Sequence, residues 1–165
     1  MLVSVDDLIT RYGYKVPQDK RLIFETLLAT AEQRVLAEID YSEKTEVDYF
    51  EGTGRHYQLT RKPVREIISL SQNVDYRYDR RSGALITSED VSDLIVTYIT
   101  GYEEMPQIIL SSIAYTAMHL AKLQSSGLLG VTQRTTDGGA ETIEQAVLPT
   151  VVRGMLQQFK AGVLA

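Results

Sequence analysis

The spacing of apolar residues changes period twice along this chain, and no other feature constrains the fold as much. Over residues 19–40, Phe24, Leu27, Leu28, Ala31, Val35 and Ile39 recur at three- and four-residue intervals, which places them on one face of an amphipathic helix. After Tyr41 the chain breaks into short stretches rich in β-branched and aromatic residues, at 46–51, 57–60, 64–70, 74–78, 84–87 and 93–100. Turn formers separate them. Gly52-Thr53-Gly54 reads as one turn, and Arg80-Arg81-Ser82-Gly83 as the turn of a hairpin, with Pro63 at a strand start or an edge. Helical spacing returns behind Pro106 with Ile109, Ile113, Thr116, Ala117, Leu120 and Leu123, and stops near Gly127. The small residues Ser111, Ser112, Ala114, Ala117 and Ala121 let another helix approach that segment closely.

The ends add two shorter helices. Residues 4–12 suit a helix with Ser4 as N-cap, Asp6 and Asp7 in the first turn and Gly13 as the stop. Pro149 opens a last helix through about residue 160, with Val152, Met155, Leu156 and Phe159 on one face. Before it, residues 125–142 hold Gly127, Gly130, Gly138 and Gly139 among several Ser and Thr, and read as a flexible loop. The expected fold is therefore mainly α with a β insert (α+β). It is a bundle of three to four helices with a small antiparallel sheet between the second and third, and a C-terminal helix after the flexible loop. As one domain over 1–165 it divides into helical residues 1–42, a β insert at 43–101, a helix at 102–126, the loop at 127–147 and the last helix at 148–165.

Composition narrows the function. At 165 residues, with 44% hydrophobic and 24% charged, the chain suits one compact core. It has no Cys, so disulfides, thiolate nucleophiles and cysteine-bound metals are excluded. The amino terminus lacks a basic region followed by an apolar stretch, and no run is long enough to span a membrane, so a cytoplasmic protein is expected. The net charge of -5 argues against general nucleic-acid binding but hides a basic island. Residues 55–81 carry 7 cations (Arg55, Arg61, Lys62, Arg65, Arg77, Arg80 and Arg81) against 3 acids.

Enzyme signatures are mostly missing. Gly52-Thr53-Gly54 begins like a dinucleotide-binding loop, but Tyr57 stands where a third Gly is needed and no helix follows. His56 and His119 each lack another strong ligand at metal-binding spacing, and no Gly-x-Ser-x-Gly elbow occurs. The acidic pairs Asp6-Asp7 and Glu103-Glu104 lie at helix starts, where the dipole accounts for them. No catalytic residue, cofactor or metal is expected. A small hydrolase would need a deep pocket with convergent polar groups. The stretch Tyr76-Arg77-Tyr78-Asp79-Arg80-Arg81 interleaves aromatics with cations. It is open to three readings: a solvated hairpin, a nucleic-acid contact through Arg77, Arg80 and Arg81, or a contact with an acidic protein neighbour.

Three motifs in this order carry a resemblance. They are Leu59-x-Arg61-x-Pro63-Val64-x-x-Ile67, Val96-x-Tyr98-x-x-Gly101-Tyr102-x-x-x-Pro106, and the Leu148-Pro149 opening of the last helix. Together with the succession of helices and strands over nearly the whole chain, they resemble the head-to-tail connector (adaptor, or head completion) proteins of long-tailed bacteriophages and prophages. The resemblance implies a non-enzymatic virion neck protein, assembled in the bacterial host cytoplasm. In it a dodecameric ring of this chain binds the portal protein, extends the DNA channel and supports a stopper or other tail component. The channel would pass genomic DNA without specific binding, and no membrane is involved. Carried onto this sequence, portal or oligomer contact falls to Leu148, Pro149, Val152, Met155, Leu156 and Phe159. Glu25, Glu32, Glu38 and Asp40 are a source of acidic channel lining. The last helix has two fates, folding back on its own core or packing into a groove of another subunit. The β region is open to two places, the outer face of the ring or a contact with the next neck protein.

Overall fold

The computed structural model describes residues 1–127, 133–136, 139–142 and 148–160. They fall into two compact units. The first joins both ends of the chain, Met1–Asp40 and the residues from Pro106 on; the second is the intervening Tyr41–Met105.

The first unit is helical around two long helices. Helix α1 (Val5–Thr10) is held by a capping box. The Asp7 amide donates to Ser4 Oγ at 3.1 Å, and the Ser4 amide donates back to Asp7 Oδ2 at 2.8 Å. The Ser4 hydroxyl, donating to Asp7 Oδ2 at 2.6 Å, and then the Ser4 amide hold the Asp7 carboxyl below its ordinary range. A single 3-10 turn at Gln18–Lys20 leads into α2 (Arg21–Glu38), which buries Phe24, Leu28, Ala31 and Val35 at four-, three- and four-residue steps. Helix α3 (Gln107–Ser125) follows Pro106, whose carbonyl accepts from the Ile109 amide at 2.9 Å, and buries Ile109, Ile113, Ala117 and Leu120 against α2. Helix α4 (Thr150–Leu156) packs on α3 through Val152 and Leu156, and a 3-10 turn at Gln157–Phe159 closes it.

The second unit is built around one strand. Strand β4 (Ala84–Thr100) pairs antiparallel with β1 (Thr45–Gln58) along one edge, and with β2 (Val64–Leu70) and β3 (Tyr76–Asp79) along the other. Both long strands bend at a bulge, where Gly52 has φ 84° and Asp93 φ 51° and the ladder slips between Phe50 and Thr53 and between Gly54 and His56. The buried positions of β4 show its effect. They run Leu85, Thr87 and Val91, then change parity to Leu94, Val96, Tyr98 and Thr100, so one face stays inward across the bend. Tyr57, Leu59, Val64 and, from β4, Leu85, Val91, Leu94, Val96 and Tyr98 form a core on which Phe50, Ile67, Leu70, Val74 and Tyr78 pack.

The mainly α bundle with a small sheet between helices is therefore wrong, and the architecture is α+β. Strands β1 and β4 have 14 and 17 residues, comparable to the 18 and 19 of α2 and α3, and α1 and α4 have only 6 and 7. The sheet is a unit with its own core and with β4 at its centre, not an appendage of a bundle. The physical reason is the bulge: Gly52-Thr53-Gly54 bends a continuous strand instead of turning the chain, so stretches expected as separate short strands are halves of β1 and β4. The expected loop over 127–147 also holds structure, the antiparallel pair β5 (Gln133–Thr136) and β6 (Gly139–Thr142). Residues 128–132, 137–138 and 143–147 of that loop, and 161–165 of the last segment, lie outside the described residues.

Candidate functional site

In the second unit two of the three motifs that carry the resemblance meet each other. The Arg61 amide donates to the Tyr98 hydroxyl at 3.1 Å, and the Gly101 amide donates to the Pro63 carbonyl at 2.8 Å. Tyr98 is fully buried, and its hydroxyl donates to Asp48 Oδ2 at 3.0 Å; the Thr60 amide donates to the same oxygen at 2.7 Å. Desolvation pushes the Tyr98 phenol up to about 12, with the neighbouring Asp48 carboxylate raising it further against the Arg61 amide.

Beside this network, Tyr41 and Tyr102 stack with ring centroids 5.6 Å apart and planes 9° from parallel. The Tyr41 hydroxyl donates to Glu43 Oε1 at 3.2 Å, and Arg65 Nη1 lies 3.1 Å from Glu43 Oε2. Gly101, at φ 133°, leaves room for them: a Cβ there would sit 3.0 Å from Glu43 Cγ. Together Pro63, Arg65, Tyr78, Arg80, Tyr102 and Glu103 edge an open cleft of about 210 Å³. Burial raises the phenols of Tyr41, Tyr78 and Tyr102, so all three stay protonated at neutral pH. Each arginine of the cleft already faces a carboxylate, Arg65 on Glu43 and Arg80 Nη2 on Glu103 Oε2 at 2.8 Å.

The basic hairpin forms where expected. Asp79 organises its turn, accepting from the Ser82 hydroxyl at 2.8 Å and the Arg81 amide at 3.0 Å, bonds that lower its carboxyl. Of the interleaved aromatics and cations, Tyr78 is packed on the core and Arg80 is engaged with Glu103. Tyr76, 44% exposed, and the exposed Arg77 and Arg81 remain on the surface, the two arginines without an ion pair among the described residues.

In the first unit the residues expected at the portal contact divide. Leu148, Pro149, Val152 and Leu156 are buried, Phe159 is half-buried, and Met155 is 44% exposed. The last helix thus takes the first of its two fates and lies on its own α3. A depression of about 320 Å³ beside it is edged by Arg34, Ala37, Glu38, Leu148 and Arg153. The four acids proposed to line a channel do not share one face. Glu25 and Glu32 lie seven residues apart on one side of α2, whereas Glu38 is turned away and takes Lys160 Nζ at 2.5 Å. Glu32 also accepts from the Leu2 amide at 2.6 Å, and Asp40 follows the helix at φ 51°.

Sequence reasoning missed Tyr41, Glu43 and Asp48, whose partners stand up to 61 residues away. It also missed a polar line on α3, where the buried Ser112 Oγ, Thr116 Oγ1 and His119 Nε2 find no hydrogen-bond partner among the described residues. His56 is exposed on β1. Among the described residues, no three His, Cys, Asp or Glu gather as a metal site, and no helix is long and apolar enough to cross a membrane. No protein-family model matches this chain, and no curated protein matches its sequence.

Proposed function

We propose that this chain is a non-enzymatic adaptor of the bacteriophage or prophage neck, a ring that binds the portal protein, continues the DNA channel and seats a stopper or tail component. One observation carries the reading. Helix α3 has a single charged side chain, Lys122, in 19 residues; one face is buried in its own unit, and Ile108 and Tyr115 on another side are still 41% and 45% exposed. Large apolar side chains left uncovered on a helix with so little charge call for a protein neighbour on that side. The meeting of the Arg61–Pro63 and Tyr98–Gly101 segments supports the same reading, because the residues that carry the resemblance brace one another.

In this reading function is assembly. A ring repeats one modest contact, so avidity and symmetry supply the affinity that a single contact lacks. At the portal, Met155 faces outward while Leu148, Val152 and Leu156 hold α4 on its own unit.

The test is co-sedimentation with cognate portal rings. The full chain is expected to pellet with the portal, and a Val151→Asp, Met155→Asp variant, changed only at exposed positions of α4, to lose about tenfold or more in affinity. A chain that ignores the portal but shifts DNA at low salt, and stops when Arg77 and Arg81 become alanine, is instead a nucleic-acid-binding module.

A further inference from the structure

Two helices of the first unit carry a second stripe besides the one they bury. On α2, the exposed Leu22, Thr26, Ala29 and Gln33 and the half-buried Leu36 follow one another at four- and three-residue steps. On α3, Ile108, Ser111, Tyr115, Met118 and Lys122 follow at three- and four-residue steps, all exposed or half-buried. Both have the 3.5-residue repeat of a helix-helix seam, and both span 15 residues, about 21 Å of helix from first to last. Because α2 and α3 pack on each other through their buried faces, these two stripes point away from each other.

We infer that the two stripes are the two halves of one contact, in which the outer side of α3 packs antiparallel on the outer side of α2 of a second copy of this chain. Size and charge both select that occupant. Set antiparallel, Tyr115 falls on Ala29, Met118 on Thr26 and Ile108 on Leu36, large side chains of one helix meeting the small middle of the other. Lys122 then falls at Leu22, beside Glu25. Lys122 and Glu25 are both exposed, and neither makes an ion pair among the described residues. The parallel arrangement would carry Lys122 to Leu36, beside Glu32, which already accepts from the Leu2 amide. Different surfaces of the two copies meet, so the contact is heterologous and propagates from copy to copy, as a ring requires and a two-fold contact does not allow. The contact rests on the adaptor reading for its place in a neck.

The chain's lack of cysteine makes the test direct. Ala29→Cys and Tyr115→Cys are made in separate chains, and each alone and their mixture are mildly oxidised, with and without cognate portal rings. The mixture is expected to give at least about tenfold more disulfide-linked dimer than either variant alone, since only unlike surfaces meet. Adding Lys122→Glu to the Tyr115→Cys chain is expected to cut the yield about fivefold, and adding Glu25→Lys to its partner to restore it. Equal yields from either variant alone, no dimer from the mixture under both conditions, or a charge exchange that restores nothing, each overturns the contact. A cross-link in a chain that never binds portal keeps the contact and removes the adaptor reading; portal rings that form without the cross-link do the reverse.

Discussion

At the scale of the residue, Tyr98 ties the second unit together. Its hydroxyl joins Asp48 of β1 to the Arg61 amide of the segment leading to β2. Tyr98→Phe leaves that amide without its acceptor and is expected to cost about 1–3 kcal/mol in urea unfolding. Its ionisation adds a pH dependence of definite sign. The native phenol, raised to about 12, holds its proton more tightly than the unfolded chain, where tyrosine titrates near 10. The stabilisation is intact below about pH 10 and is lost as pH rises from there to about 12. Urea midpoints followed across that window should fall, and fall less steeply in Tyr98→Phe. In the first unit, Ser4→Ala removes the capping box and is expected to lower stability by about 1 kcal/mol. The cap was legible because Ser4 and Asp7 are three residues apart; the Tyr98 network was not, because Asp48 stands 50 residues away and nothing local marks the pair.

At the scale of the element, the bulge and the last helix give the sharpest contrasts. Gly52 sits at φ 84° with open space where a Cβ would go, so Gly52→Ala meets a backbone penalty alone, about 1–2 kcal/mol. Gly54 faces open space without a positive φ, and Gly54→Ala should leave the thermal midpoint unchanged or slightly raised. A tight turn at 52–54 would make both substitutions costly. On α4, Leu156→Ala is expected to cost about 2–5 kcal/mol, and Met155→Ala less than about 0.5 kcal/mol, because Leu156 is fully buried and Met155 is not. The long helices were legible from their 3.6-residue stripe: Phe24, Leu28, Ala31 and Val35 are buried as expected. The continuity of β4 was not, since the parity of its inward residues changes between Val91 and Leu94, and alternation read along a sequence stops at such a break. The stripe of the last helix announced a need for cover without saying whose; α3 of the same unit supplies it.

At the scale of the molecule, helices from both ends of the chain form one unit and a β4-centred sheet forms the other. The charge asymmetry of the sequence survives folding only in part. Arg65 and Arg80 are matched by Glu43 and Glu103, which leaves Arg77 and Arg81 as the exposed remainder of the basic hairpin. That remainder is a small footprint for DNA, whereas the outer side of α3, with Lys122 as its one charge, is long enough for a subunit contact. The candidate site was legible in its motifs, which lie close in sequence and mark strand ends, and illegible in its surfaces. Which apolar residues a chain leaves uncovered depends on how its helices settle on each other. The most direct measurement is negative-stain imaging of cognate portal rings mixed with the full chain, beside the Val151→Asp, Met155→Asp variant. The expected result is an added ring of density coaxial with the portal for the full chain and bare portals for the variant. Bare portals with both, while the chain alone retards DNA at low salt, would contradict the adaptor assignment.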